Sequence, residues 1–428
     1  MSNRMKRWAA GLLSSVALLA GVAPAAHAAT EEKERSIVLS YWAQTESPAL
    51  DLVYYRMCRA YEDANPDVKI NLNMLSSNSD AFLKMMDEAK KGVQPEADVA
   101  MLTLFALGDR AAKGELLELD GKVAGWADRT DFSPSVLSLG QYRGKLVGVG
   151  YYPTPELFVY RKDYFKEAGL DPDRPPKTWE EIAAAAEKLT RRDANGKVIR
   201  AGFDIPAQSA HINHLESFMR QNGAKIIDPM TEAIDINSPA AVEAANWMIA
   251  LKNKNVSIPY SIAKYDVPFL RGESAISQVK SIDIAAMFKA DPGLRDKVGF
   301  MHVPVRKAPG AFTGYKLLAI MKQSKHPEEA WKFLQFVMSK ENVWNRYKAY
   351  GIVPVRKSLQ ERYIAEDPVL NRYNLEYVDL GVGKPVVGFT TNFYRLAGAA
   401  WEKMYKGEMQ PAAALQEVYD RQMKDMPK

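Results

Sequence analysis

Two histidines three residues apart, His211 and His214 in the run HINHLES with Glu216 two places on, are the nearest approach to a metal-ligand pattern in this chain. Two imidazoles at that spacing share a helix face, but no further donor follows at diagnostic spacing for a closed site. Nucleophile chemistry finds no G-x-S-x-G elbow. GQYRGKL at Gly140 lacks the spacing and hydroxyl of a phosphate loop, and GVGKPVVG at Gly381 lacks the second half of a dinucleotide turn. The single cysteine, Cys58, sits where Leu50, Val53, Tyr54, Met57 and Tyr61 recur at helical spacing, the setting of a buried structural thiol. The expectation is therefore no catalytic residue, no metal and no cofactor.

The elements that surround these residues alternate. SIVLSYWAQ, residues 36–44, reads as a buried strand ending in a polar loop. A helix about Cys58 stops at Asn65-Pro66, because proline keeps its predecessor out of helical angles. VKINLNML (68–75) alternates as a strand should, the amphipathic segment 82–91 ends at Gly92, and ADVAMLTLF supplies a third strand over 98–104. Strand, helix, strand, helix, strand predicts an α/β layer with a parallel sheet. Further on, a strand at 157–160 and a short helix meet Gly169, placed for a left-handed cap. Pro172, Pro175 and Pro176 stiffen the connector, and Thr178 with Glu181 forms a T-x-x-E capping box. Ile182, Ala185, Ala186 and Leu189 make the apolar face of the helix it opens. Near 327, proline suits a first helical turn, and Trp331, Leu334, Val337 and Met338 give a buried stripe.

Ligands of open α/β sheets bind beyond the carboxyl ends of the strands, which selects a short set of positions. After the first strand come Trp42, Gln44 and Glu46; after the second, Asn78 and Asp80; after the third, Thr103 and Phe105. Tyr151 and Tyr152 sit before Pro153 and Pro155. AISQVKSID ends a strand at Lys280, Ser281 and Asp283; FTGYKLLAI offers Gly314 and Tyr315, and GFTTNFY offers Phe389, Thr391 and Asn392. Aromatic faces beside planar polar groups suit ring compounds dense in hydroxyls. Structural alternatives stay open: Trp42 plugging a core, the two tyrosines packing a hinge, Asn78 and Asp80 capping a helix, Lys280 pairing with Asp283 rather than with an anionic substituent.

The first residues are of another kind. Arg4, Lys6 and Arg7, an apolar run over 8–22, and Ala26-His27-Ala28 follow the order of a cleaved export signal over residues 1–28. With no cysteine at the new terminus, the expectation is a product without a lipid anchor. Removing the three leader cations takes the formal charge from +5 to +2, which gives no argument for nucleic acid. At 47% hydrophobic and 25% charged residues, the remainder is an ordinary globular chain long enough for two domains.

The stretch YRKDYFKEAGLDPDRPPKTWEEIAAAAEKLT, 160–190, closely resembles a signature of the family-1 extracellular solute-binding proteins of ABC importers. YWAQTESPAL, YEDANPDVKINL, GVQPEADVAMLT, KGELLELDG, YRGKLVGVGYYPTPELFVY, NGAKIID, FLRGESAIS and SKHPEEAWKFLQFVMSKENV match in the same order. The segment after GESAIS departs: many relatives carry glycine or tryptophan there, and this chain has QVKSID. The resemblance implies the type II periplasmic-binding-protein fold, two α/β lobes, each a mainly parallel sheet flanked by helices, joined by a hinge crossed more than once. It places lobe I at 29–150 plus 303–350 and lobe II at 151–302 plus 351–428. It implies a periplasmic monomer that binds a carbohydrate, most simply an oligosaccharide, and delivers it to membrane permease subunits. The rival cargoes are glycerol phosphate, a polyol or another anion, which Lys280 keeps in play; a secreted polysaccharide hydrolase is the more distant rival.

Overall fold

Thirteen residues, Val149–Arg161, form one strand that serves two cores. The computed structural model describes residues 36–75, 79–92, 96–208, 212–254, 256–261 and 267–426, without the side chains of 79–81. The principal sheet has seven strands: β1 Ile37–Gln44, β2 Val68–Leu75, β3 Val99–Thr103, β4 Val149–Arg161, β5 Ile276–Lys280, β6 Val298–Phe300 and β7 Thr313–Ile320. Their order is β6-β4-β7-β3-β1-β2, with β5 also paired to β4. β1 runs parallel to β2 and β3, while β7 is antiparallel to both β3 and β4, and β4 is antiparallel to β5 and β6. The sheet is thus more antiparallel than the strand–helix alternation predicts, and it is continuous across the lobes. The reason is β4: residues 149–155 pair with β7, and residues 156–161 pair with β5 and β6. Pro153 and Pro155 lie at the changeover, where each removes a ladder donor.

The period-2 alternation of β1 divides the first lobe's interior. Leu39, Tyr41 and Ala43 face a core that includes Tyr54, Phe333 and Leu334, and Trp42 faces another with Phe82, Leu102 and Leu107. The second lobe packs Trp179, Phe218 and Trp247 together, with ring centroids 4.8 Å apart for Trp179–Trp247 and Phe218–Trp247. Trp401 fixes the long helix Thr390–Lys406 to that lobe by donating to the Pro206 carbonyl at 2.8 Å. The cores do not change over at 150 and 350. Tyr151 and Tyr152 stay in the first, as do Ile352, Val353, Val355, Leu359 and Tyr363. Val303 and Ala311 belong to the second.

The proline-rich corner has the expected architecture. Helix Lys162–Glu167 is followed by Gly169 at φ +70°, where a side chain would be strained, and both halves of the Thr178/Glu181 capping box form ahead of helix Trp179–Leu189. A third crossing runs through Gly381–Gly388. Helix Leu104–Ala112 lies directly on it, and only glycine fits at 108, since a Cβ there would stand 2.4 Å from the Val387 oxygen. Among the described residues no helix is long and apolar enough to cross a membrane.

Candidate ligand-binding cleft

The first turns of four helices meet between the lobes. Phe105, in the first turn of helix Leu104–Ala112, packs edge-on against Tyr394 in the first turns of helix Thr390–Lys406, with centroids 5.6 Å apart. The Tyr394 hydroxyl donates to Glu216 Oε1 at 3.0 Å, in the opening turn of helix Asn213–Gln221. Asn213 Nδ2, at the head of that helix, donates to Glu156 Oε1 at 3.0 Å. Glu156 lies opposite Lys280 in the β4–β5 ladder, immediately before helix Ser281–Ala290. Helix N-termini carry partial positive charge and unsatisfied N–H groups, so their convergence makes a polar, donor-rich wall.

Several buried acceptors at or beside these strand ends and helix starts have no hydrogen-bond partner. Among the described residues, Gln44 Oε1, Asn213 Oδ1, Gln278 Oε1, Ser281 Oγ and Thr391 Oγ1 are buried without a hydrogen bond. Such groups are costly to leave unanswered, by about 1–3 kcal/mol each. Burial pushes the Glu156 carboxyl up to about 7, against the pull of Lys280 and of the Asn213 hydrogen bond. On the first-lobe side, Lys316 of β7 stands level with both Thr103 and Tyr152, with Nζ 5.0 Å from the Tyr152 ring centroid. It is ion-paired to Glu46. Burial pulls the Lys316 ammonium down to about 7.

The sequence-selected positions separate on this geometry. Gln44, Glu46, Thr103, Phe105, Lys280, Ser281, Asp283, Phe389 and Thr391 lie at the strand ends and helix starts just described. Thr103 caps its helix by accepting from Ala106 N at 3.3 Å, and Phe389 precedes helix Thr390–Lys406. Lys280 is half-buried and acts on both Glu156 and Asp283; burial raises the Asp283 carboxyl while Lys280 lowers it. The remaining positions have interior or outward roles instead. Trp42 is 1% exposed, edge-on to Phe82, with Nε1 donating to Ser40. Tyr151 is stacked on Tyr54 beneath the Arg346 guanidinium, and Tyr152 is likewise buried. Tyr315 is buried and donates to the Val378 carbonyl at 3.3 Å. Gly314 lets β4 and β7 approach: its oxygen accepts from Thr154 Oγ1 at 3.1 Å, and a Cβ would lie 2.6 Å from that atom. Asn392 faces the C-terminal helix through Gln422 and Asp425. Asn78 and the Asp80 side chain lie outside the described residues, as do residues 1–28 and His211. His214 is buried, and burial draws its imidazole down to about 4.

Sequence reasoning missed Glu156, Asn213, Gln278, Lys316 and Lys384, and weighed Glu216 only beside His211 and His214 as a metal pattern. A signal existed for the first, a carboxylate interrupting the apolar run PTPELFVY. Lys384 lay in view within GVGKPVVG, which the search for a nucleotide turn set aside.

Residues 56–372 match the family model described as bacterial extracellular solute-binding protein. The chain belongs to that family. It is 24% identical over 429 residues to a putative binding protein of Brucella abortus, covering 97% of each chain. It is 26% identical over 372 residues to the arabinooligosaccharide-binding protein of Bacillus subtilis, covering 81% of this chain and 78% of that one. The fold is that of the type II periplasmic binding proteins. An ABC substrate-binding protein of Listeria monocytogenes solved with cycloalternan shares it with a TM-score of 0.75 at 23% identity, covering 91% of this chain and 99% of the other.

Proposed function

We propose that this family member is the binding component of a carbohydrate importer, taking an oligosaccharide between its lobes and passing it unchanged to a membrane permease. The observation that carries the reading is the Phe105–Tyr394 ring pair joining helix starts of the two lobes, with neutral oxygens left unpartnered at neighbouring strand ends and helix starts. An aromatic face and amide or hydroxyl acceptors suit a neutral ring compound with many O–H donors. The charged groups nearby are answered from within the chain: Glu46 holds Lys316, and Lys280 lies in the field of Glu156 and Asp283. That arrangement supports a neutral cargo over glycerol phosphate or another anion. The names of the Bacillus and Listeria relatives point the same way. Two lobes hinged at β4 and β7 would rotate together over the cargo and do no covalent chemistry. The basic, apolar, small-residue order over residues 1–28 supports export to the periplasm.

Calorimetric titration with neutral oligosaccharides, acidic oligosaccharides and glycerol 3-phosphate tests the reading. Binding confined to the neutral set supports it. Binding confined to an anion, silence across the panel, or release of a shortened sugar overturns it.

A further inference from the structure

Among the described residues only four other than glycine hold a positive φ, and two of them meet across the lobes, Arg143 at +47° and Glu232 at +59°. Arg143 and Gly144 make the two-residue turn of the hairpin Gln141–Tyr142 and Lys145–Leu146, anchored in the first lobe's core by Leu146. A turn with φ positive at both positions ordinarily takes asparagine, aspartate or glycine, so arginine stands there against the local preference. Glu232 belongs to a second-lobe loop between Ile227 and Ile234. Its N–H donates to the Asp228 carbonyl at 2.8 Å, and the Asp228 N–H donates to the Ala233 carbonyl at 2.9 Å.

Arg143 Nε and Nη2 donate to the two Glu232 oxygens, each at 3.0 Å, the parallel fork that makes a guanidinium–carboxylate pair directional. The guanidinium also stands 5.3 Å from the Tyr142 ring centroid. Arg143 keeps 61% of its side chain exposed and Glu232 only 13%, so the pair is within reach of salt. Backbone strain on both sides of one contact directs attention to what that contact does between the lobes. Its position supplies the rest. Helix Leu104–Ala112 carries Phe105 of the cleft at one end. At the other, Ala112 abuts the third crossing, where a Cβ on Gly388 would stand 2.5 Å from the Ala112 Cβ and 4.0 Å from the Tyr142 hydroxyl. Tyr142 precedes Arg143, so the ion pair lies past the far end of this helix, whose two ends are about 10 Å apart.

We propose that the Arg143–Glu232 pair is a clasp that holds the two lobes at the angle seen here and opposes closure of the cleft. The cleft opens from the first turn of helix Leu104–Ala112, the clasp lies past its last turn, and the third crossing runs along it. A rotation about the crossings that narrows the one end separates the hairpin from the 228–234 loop at the other, so closure breaks the fork. Clasp and cargo then compete for one equilibrium, and loss of the clasp tightens cargo binding. Only this last step rests on the importer reading.

The first arm of the test needs no cargo. Spin labels on Asp63→Cys, exposed on helix Pro48–Ala64, and Glu408→Cys, exposed beyond helix Thr390–Lys406, report the lobe-to-lobe distance, while buried Cys58 stays unlabelled. Arg143→Asn removes the fork and suits the turn, and Glu232→Gln removes the charge with the shape kept. Each should broaden the distance distribution, and both together no more than either alone. Salt at about 1 M, which shortens the screening length to about 3 Å, should broaden it in the unaltered chain and add nothing in the variants. A neutral oligosaccharide that binds in the calorimetric panel should bind either variant about threefold more tightly. Distances unchanged in both variants, or changed in only one, overturn the proposal. So does cargo binding that is unchanged or weaker where the distances have moved. Silence of every sugar refutes the importer reading instead, and the distances still decide the clasp.

Discussion

Replacing Glu156 by glutamine should make the protein more stable at pH 8 and leave it little changed at pH 5. Glu156 is 4% exposed, and burial pushes its carboxyl from 4.5 up to about 7. In the unfolded chain the same group titrates near its ordinary value. Between those pH values the folded form binds more protons than the unfolded form, so stability falls as pH rises. The contribution is fully present below about 4.5, is lost through the interval, and is absent above about 7. A shift of that size corresponds to about 3 kcal/mol. The hydrogen bonds now made to Glu156 favour the ionised group, so burial must outweigh them and a proton needs one amide to turn. Gln278 Oε1 and Asn213 Oδ1 are both unpartnered acceptors, and their amide nitrogens already reach Glu156 at 3.4 Å and 3.0 Å. A neutral carboxylic acid has an O–H to donate to one of those oxygens after an amide rotation, and a glutamine NH₂ can do the same. Urea unfolding from pH 5 to pH 8.5 measures both curves. The unaltered protein should lose stability across that range, and the variant should lose about 3 kcal/mol less. Asp204, which burial also pushes up to about 7, supplies a slope common to both. If Glu156→Gln were destabilising by the same amount at every pH, the carboxyl would be ionised throughout and the reasoning would fail.

Other outcomes follow from the same geometry. Phe105→Ala removes one ring of the only aromatic pair seen joining the two lobes among the described residues, and should weaken oligosaccharide binding about tenfold with little change in melting temperature, read by calorimetry and thermal scans. Cys58 is 4% exposed and burial pushes its thiol up to about 12, so a thiol reagent at pH 8 should modify the urea-unfolded chain rapidly and the folded chain barely at all. Thr178→Ala breaks the capping box before helix Trp179–Leu189 and should cost about 1 kcal/mol in urea unfolding without altering cargo affinity.

Local rules read well from this chain because the features they concern are local. Val68–Leu75 has the expected bounds, the helix about Cys58 ends before Asn65-Pro66, and Gly169 and the Thr178 box stand where the corner needs them. Period and punctuation act within a few residues, so the sequence by itself determined these elements, the apolar faces they bury and the family they spell out in order. It did not determine which strand-end aromatics point inward. Trp42 and Gln44 lie on the same face of β1, yet one is wedged against Phe82 and the other keeps an unanswered oxygen. Which of the two happens depends on the partners across the sheet, contributed by segments tens to hundreds of residues away. The same is true of Glu156, whose burial needs Asn213, Gln278 and Lys280 brought onto β4, and of Lys384, whose partner Glu216 is supplied by a helix from another part of the chain. Only tertiary packing sets the desolvation and the pairing of such groups, because both are sums over neighbours that the linear order does not place side by side.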